Sequence, residues 1–205
     1  MMNWKAWIQK MWKPIIGVIV STAILGLGVV CFIYARLGGD SLTAFEEGLT
    51  HVFGIRMGVA SFACGVIIII IDLLIARDKI GWTSIVNNFA TGYFINLFEN
   101  MLGSYLTGKS LIFRIVIFAC GMILIALSLV ILIRYQQGMN PMDAIAWKIS
   151  ETKKVQYKYV RIVMDATLLL LGFIMGATIG VGSVVAAFGL GPLVSLLNNL
   201  INKSE

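Results

Sequence analysis

The residues of this chain with chemistry to offer stand inside apolar sequence, and they are few. Arg161 and Asp165 are four apart, a spacing that puts both on one helix face and lets them pair. "NPMD" (Asn140–Asp143) interrupts two strongly apolar runs. Asn140 suits a helix N-cap, Pro141 the first helical position, and Asp143 the third, where a carboxylate meets free amides and the positive end of the helix dipole. Asp40 and Ser41 can cap an earlier helix in the same way, with Thr43 at the place of Asp143. Ser84, Asn87, Asn88 and Thr91 fall at helical spacing and form one polar stripe. Such a stripe either joins helices or binds a solute. Charges and amides at this depth cost several kcal/mol unless they face protein or water, so together they could line a polar cavity.

Covalent chemistry has no candidates. There is no nucleophile–base pair and no metal-ligand spacing. The sole histidine, His51, has no cysteine or carboxylate cluster beside it. Cys31, Cys64 and Cys120 all sit in apolar runs and read as small core residues. "GATIGVG" (176–182) lacks the strand and lysine of a phosphate loop. We expect no catalytic site, no metal and no cofactor.

Composition names the solvent that must hold these groups. The 205 residues are 59% hydrophobic and 13% charged, with a mean hydropathy of +0.92. That is too much apolar surface for the interior of a soluble domain of this size, so lipid is the expected solvent. The net charge of +6 does not indicate nucleic acid, because the basic residues flank apolar runs and form no patch.

A membrane-spanning helix needs about 20 mostly apolar residues. Segments 15–35, 57–76, 111–133 and 159–179 meet this readily. Segments 82–101 and 183–201 are apolar but studded with small and polar residues. Two stretches are too short to span: "DSLTAFEEGLTHVF" (40–53) and "QGMNPMDAIAWKIS" (137–150). Their apolar residues at helical spacing predict amphipathic helices of two or three turns. Asp72 is expected near the inner end of its span, reaching the interface by snorkelling.

The halves align. At an offset of 100, Leu27, Val30, Ile33, Gly38 and Ala44 match Leu127, Val130, Ile133, Gly138 and Ala144. At an offset of 99, Ile80, Gly81, Ser84, Val86, Phe89, Gly92 and Leu97 match Ile179, Gly180, Ser183, Val185, Phe188, Gly191 and Leu196. The expected architecture is a single all-α membrane domain over 1–205, with six spans in two repeats, 14–102 and 111–202. Each repeat carries a short amphipathic or re-entrant helix after its first span. Three spans per repeat make the second inverted. With both termini in the cytoplasm, twelve basic residues lie inside; Arg36, Arg56, Lys109 and Arg114 lie outside, as the positive-inside rule favours. Gly172, Gly176 and Gly180 read as a small-residue packing ridge. Pro192 after Gly191 should break or kink the last span.

"LGG…TA" (Leu37–Ala44) followed by Gly48-Leu49, then "NPMD" and "IGVGSVVAAFGLGPLV" (179–194), resemble the signatures of the YczE/YyaS/YitT-type membrane proteins, closest to the YczE branch. The resemblance covers about 25–200. It departs at Leu42-Thr43, where the family pattern has an aromatic–Asp pair, so a first-half carboxylate role would pass to Asp40. The family often has Thr where this chain has Ser183. The resemblance implies a multi-pass bacterial plasma-membrane protein and supplies no chemistry.

The reading is a small-solute permease, or a substrate-binding transport subunit, with a midplane site between the repeats. The residues assigned to it are Asp40, Thr43, Asn87, Asn88, Asn140, Asp143, Arg161 and Asp165. The alternative is a non-transporting membrane partner or assembly factor. Expected partners are the bilayer and an unidentified solute, with room for a homodimer or a membrane partner subunit.

Overall fold

The computed structural model describes residues 4–79, 81–107, 110–135 and 140–203. Ile80, Lys109 and Gly138, used in the alignment and charge count above, lie outside them. Among the described residues the chain forms eight α-helices and no strand: α1 (Trp4–Ala35), α2 (Ser41–Phe53), α3 (Met57–Ile75), α4 (Trp82–Leu106), α5 (Leu111–Tyr135), α6 (Pro141–Lys153), α7 (Tyr157–Ile174) and α8 (Val181–Lys203). Both short amphipathic helices form where the periodicity places them.

Among the described residues, four segments are long and apolar enough to cross a bilayer: Pro14–Ala35, Met57–Ile75, Leu111–Tyr135 and Val181–Ile201. The sequence favoured 159–179 over 183–201. Instead α7 stops at Ile174 and carries Lys158, Arg161 and Asp165, while α8 is the longer and more uniformly apolar. Phe188 and Leu74 are each 79% exposed. Large apolar side chains this exposed on the bundle's exterior mark a surface solvated by lipid.

Helix α1 is the central element. Small residues let α5 approach it antiparallel: Gly17 faces Tyr135, Gly28 lies against Gly121 and Ile125, and the Ser21 hydroxyl donates to Ser128 O at 2.7 Å. Phe32 and Phe118 stack at 4.8 Å and, with Ala186 of α8, form one core. On the other flank Val29 and Val30 pack with Met57 and Ile95. Helices α3 and α4 cross closely at Gly58 and Gly92. Helix α2 lies between α3 and α7, and α6 packs on the same two helices.

Bonds group the loops into two ends. At one, Arg114 donates to Ala35 O and Arg36 O, each at 2.6 Å, and His51 Nδ1 meets Gly176 O at 2.8 Å. At the other, Lys148 of α6 reaches Asp78, and Lys79 reaches Glu151.

Three expectations need correction. Gly172, Gly176 and Gly180 do not form one ridge, because Gly176 takes a left-handed φ of +89° just past the end of α7. Gly172 instead admits the Ala44 carbonyl of α2, and Gly180 lies against Leu37 O. Helix α8 runs unbroken through Gly191 and Pro192. Asp72 does not snorkel: it is fully buried, and neither carboxylate oxygen has a hydrogen-bond partner.

Candidate functional site

The N-termini of α2 and α6 converge inside the bundle on a cavity of about 370 Å³. Helix α2 contributes Ser41, Leu42, Thr43 and Glu46, preceded by Asp40; α6 contributes Pro141 and Met142, preceded by Asn140. The polar wall is completed by Ser61 of α3, Asn87, Asn88 and Thr91 of α4, Arg161 and Asp165 of α7, and Ser183 of α8. The chain makes room through glycine. Gly38, with φ at +96°, turns back towards Ser183, and a Cβ there would collide with the serine hydroxyl.

Seven of the eight residues assigned from sequence line this cavity: Asp40, Thr43, Asn87, Asn88, Asn140, Arg161 and Asp165. The eighth, Asp143, is one step behind it. It stands in the first turn of α6, as expected, and its carboxylate also braces α7, accepting from Arg161 Nη1 at 2.9 Å and from the Tyr157 hydroxyl at 2.7 Å. Asn140 does cap α6, its Oδ1 accepting from Met142 N at 3.1 Å. The pairing of Arg161 with Asp165 is present at 3.1 Å, and Asp165 also accepts from the Ser41 hydroxyl at 2.5 Å. One network therefore ties α2, α6 and α7. Asp40 accepts from the Thr43 hydroxyl.

The polar stripe of α4 both joins helices and faces the cavity. Asn87 lies 2.7 Å from the Thr22 hydroxyl of α1, and Asn88 Nδ2 donates to Gly65 O of α3 at 2.9 Å.

Five polar cavity residues escaped the assignment, namely Ser41, Glu46, Ser61, Thr91 and Ser183, and two of them matter most. Glu46 is 5% exposed and takes a hydrogen bond from Ser61. Burial pushes its carboxyl up to about 8, with a smaller push from Asp40. Its signal was present, since it follows Thr43 by three on α2 and so shares its face. Ser183 is 4% exposed and its hydroxyl has no hydrogen-bond partner. Its alignment with Ser84 gave no hint of a separate role.

A second recess, of about 600 Å³, opens on the other side of the short helices and is almost wholly apolar. The Phe45, Leu49 and Ile145 faces floor it, between α3 and α7. Leu42, Ile68 and Met142 line both spaces. Among the described residues no group of three or more His, Cys, Asp or Glu is arranged to hold a metal.

A bundle with an apolar exterior and four bilayer-length helices is an integral membrane protein. The family follows from the sequence: residues 12–199 match the family described as "Family of unknown function (DUF6198)", and the chain belongs to it. Relatives span most of both chains. An "Uncharacterized membrane protein YczE" of Bacillus subtilis is 29% identical over 85% of this chain and 84% of its own length. An "Uncharacterized protein YyaS" of the same organism is 25% identical over 81% and 83%. An uncharacterized protein of Haemophilus influenzae is 22% identical over 93% and 85%. The resemblance drawn from the signatures therefore holds. No solved structure matches the chain.

Proposed function

We propose that the protein is a small-solute permease of the plasma membrane, or the substrate-binding subunit of one, with its solute held in the 370 Å³ cavity. The observation that carries this reading is a polar cavity inside an apolar bundle, at the meeting of two short-helix N-termini. Backbone that leaves the helical pattern at membrane depth is tolerated where it lines such a space. Asp40, Thr43, Asn87, Asn88, Asn140, Arg161 and Asp165 form the solute's walls, and Asp143 positions Arg161.

In this reading six helices cross the membrane, as two inverted repeats with cytoplasmic termini. The α1–α5 seam supports the symmetry. An offset of 100 converts Ser21 into Gly121 and Gly28 into Ser128, so the Ser21–Ser128 bond and the Gly28–Gly121 approach are images of each other. The symmetry is incomplete at the outer helices. Helix α3 packs tightly on α4, while α7 barely touches α8 and packs instead on α2 of the first repeat.

Uptake by proteoliposomes tests the reading. Saturable flux of a solute, lost on substituting cavity residues, is expected of a permease; a broad screen with neither flux nor solute binding would end the reading. Labelling should place Lys109 and Lys153 on opposite faces, and labelling from one face would end the inverted arrangement.

One observation favours a non-transporting partner. Only 6% of the best 18-residue apolar stretch within Val181–Ile201 of α8 is buried, so a large apolar face is available to another membrane helix. Purification in mild detergent separates the two: a chain recovered only in complex with a second protein supports the partner reading.

A further inference from the structure

The cavity walls are unbalanced in charge. Among the described residues Asp40, Glu46 and Asp165 line it against a single cation, Arg161. That guanidinium is already held by Asp143 and Asp165. Asp40 receives the Thr43 hydroxyl and stands at the N-terminus of α2, whose free amides offset part of its charge. Glu46 has neither advantage. It sits mid-helix and buried, with the Ser61 hydroxyl as its donor.

Ser61 and Cys64 of α3 and Asp40 before its own helix act on Glu46, and Arg161 and Asp165 of α7 line the same cavity. None brings it an uncommitted positive charge. A second, separate vacancy in the bonding pattern faces the same space: the buried Ser183 hydroxyl has no partner. A buried carboxylate without a counter-charge is costly, and both a cation and a proton relieve it.

We propose that the cavity's ligand is a small organic cation with a primary ammonium head, which binds at Glu46 and Asp40, is oriented by Ser183, and displaces the proton from Glu46. This rests on the permease reading and deepens it. The lining chooses among cations. Among the described residues it contains no aromatic ring, so the aromatic cage that suits a quaternary ammonium is missing there. Carboxylates, hydroxyls and side-chain amides are instead acceptors for an N–H-bearing head. The described residues offer no metal-holding set. The volume matches about a dozen waters, enough for a short-chain amine.

Proton displacement follows from the burial of Glu46. The carboxyl carries its proton below about pH 8, so an entering ammonium ejects one proton to solvent, and ammonium and proton exclude each other. Competition for one site is what exchange transport requires.

Calorimetry on the purified full-length protein in detergent, with n-butylamine as probe, tests this. Binding is expected, about tenfold weaker at pH 7 than at pH 9, with one proton released per amine at pH 7. Glu46→Gln should abolish binding. Ser183→Ala should weaken it and leave its pH dependence intact, which serves if Glu46→Gln does not fold. Butyrate or choline binding as well as butylamine, an affinity independent of pH, or no amine binding at all overturns the proposal. Amine binding without proteoliposome uptake would keep the ligand class and end the permease reading. Anion binding with uptake would do the reverse.

Discussion

Arg161 is the point at which three helices are tied, and replacing it with methionine isolates the charge while keeping an apolar stem. Its contacts to Asp143 and Asp165 measure 2.9 and 3.1 Å. At an effective dielectric of about 20, each is worth roughly 5 kcal/mol before desolvation. The three side chains are 33%, 39% and 33% exposed, so water screens the pairs and desolvation cancels much of the remainder. A net loss of about 2 kcal/mol is expected for Arg161→Met, most of it from the two carboxylates left facing each other's charge. Adding Asp143→Asn and Asp165→Asn removes that repulsion and should recover more than half of the loss. Denaturant unfolding in mild detergent gives the numbers. Trp147, whose ring lies 5.8 Å from that of Tyr157, is one of five tryptophans and contributes a signal from beside the network. A single variant within about 0.5 kcal/mol of wild type, or a triple variant no more stable than the single, would refute the reasoning.

Glu46 gives a pH signature. Its carboxyl rises from 4.5 to about 8 on folding, so the folded chain binds that proton more tightly. The resulting stability is fully present below pH 4.5 and is lost as pH rises through 8; Glu46→Gln should flatten the unfolding midpoint between about pH 5 and 8, and an unchanged slope would contradict the assignment. Gly172→Ala would place a Cβ 2.6 Å from Ala44 O, forcing α7 off α2 at a cost of about 1–3 kcal/mol, whereas Gly191→Ala meets nothing and should be neutral or stabilising in thermal unfolding. Asn140→Ala removes the cap of α6 and should cost about 1 kcal/mol in the same assay, with Asn140→Asp close to wild type. Asp72→Asn removes a buried charge without a partner and should raise the unfolding midpoint; a fall would mean that the charge is held by something beyond its present neighbours.

The helices and seven of the twelve polar cavity residues were legible because their signals are local. Apolar length marks α1, α3 and α5, and Asn140-Pro141 marks the start of α6 through backbone chemistry alone. The assigned polar residues share a cavity because ionisable and amide groups in apolar sequence have few places to go. What was not legible depends on partners distant in sequence. Asp143 is the first-turn acid that its position predicts, but nothing local reveals Arg161 beside it. The glycines at 172, 176 and 180 matched a ridge only on the assumption that one helix continues through them, and the left-handed Gly176 ends it. The complete burial of Asp72 and Glu46 is set by neighbours on other helices. Periodicity could place Glu46 on the face of Thr43 but could not show that the face is covered.

The side chains of Leu42, Ile68 and Met142 are shared by the wet and the greasy recess. The partition is therefore one residue thick, made of aliphatic groups that turn about single bonds and hold no hydrogen bond across it. Rotation of Leu42 and Met142 would open a side window to the acyl chains without moving any helix. Shortening Leu42 to alanine would leave that window ajar, and a lipid-soluble thiol probe could then reach a cysteine placed at Ser61.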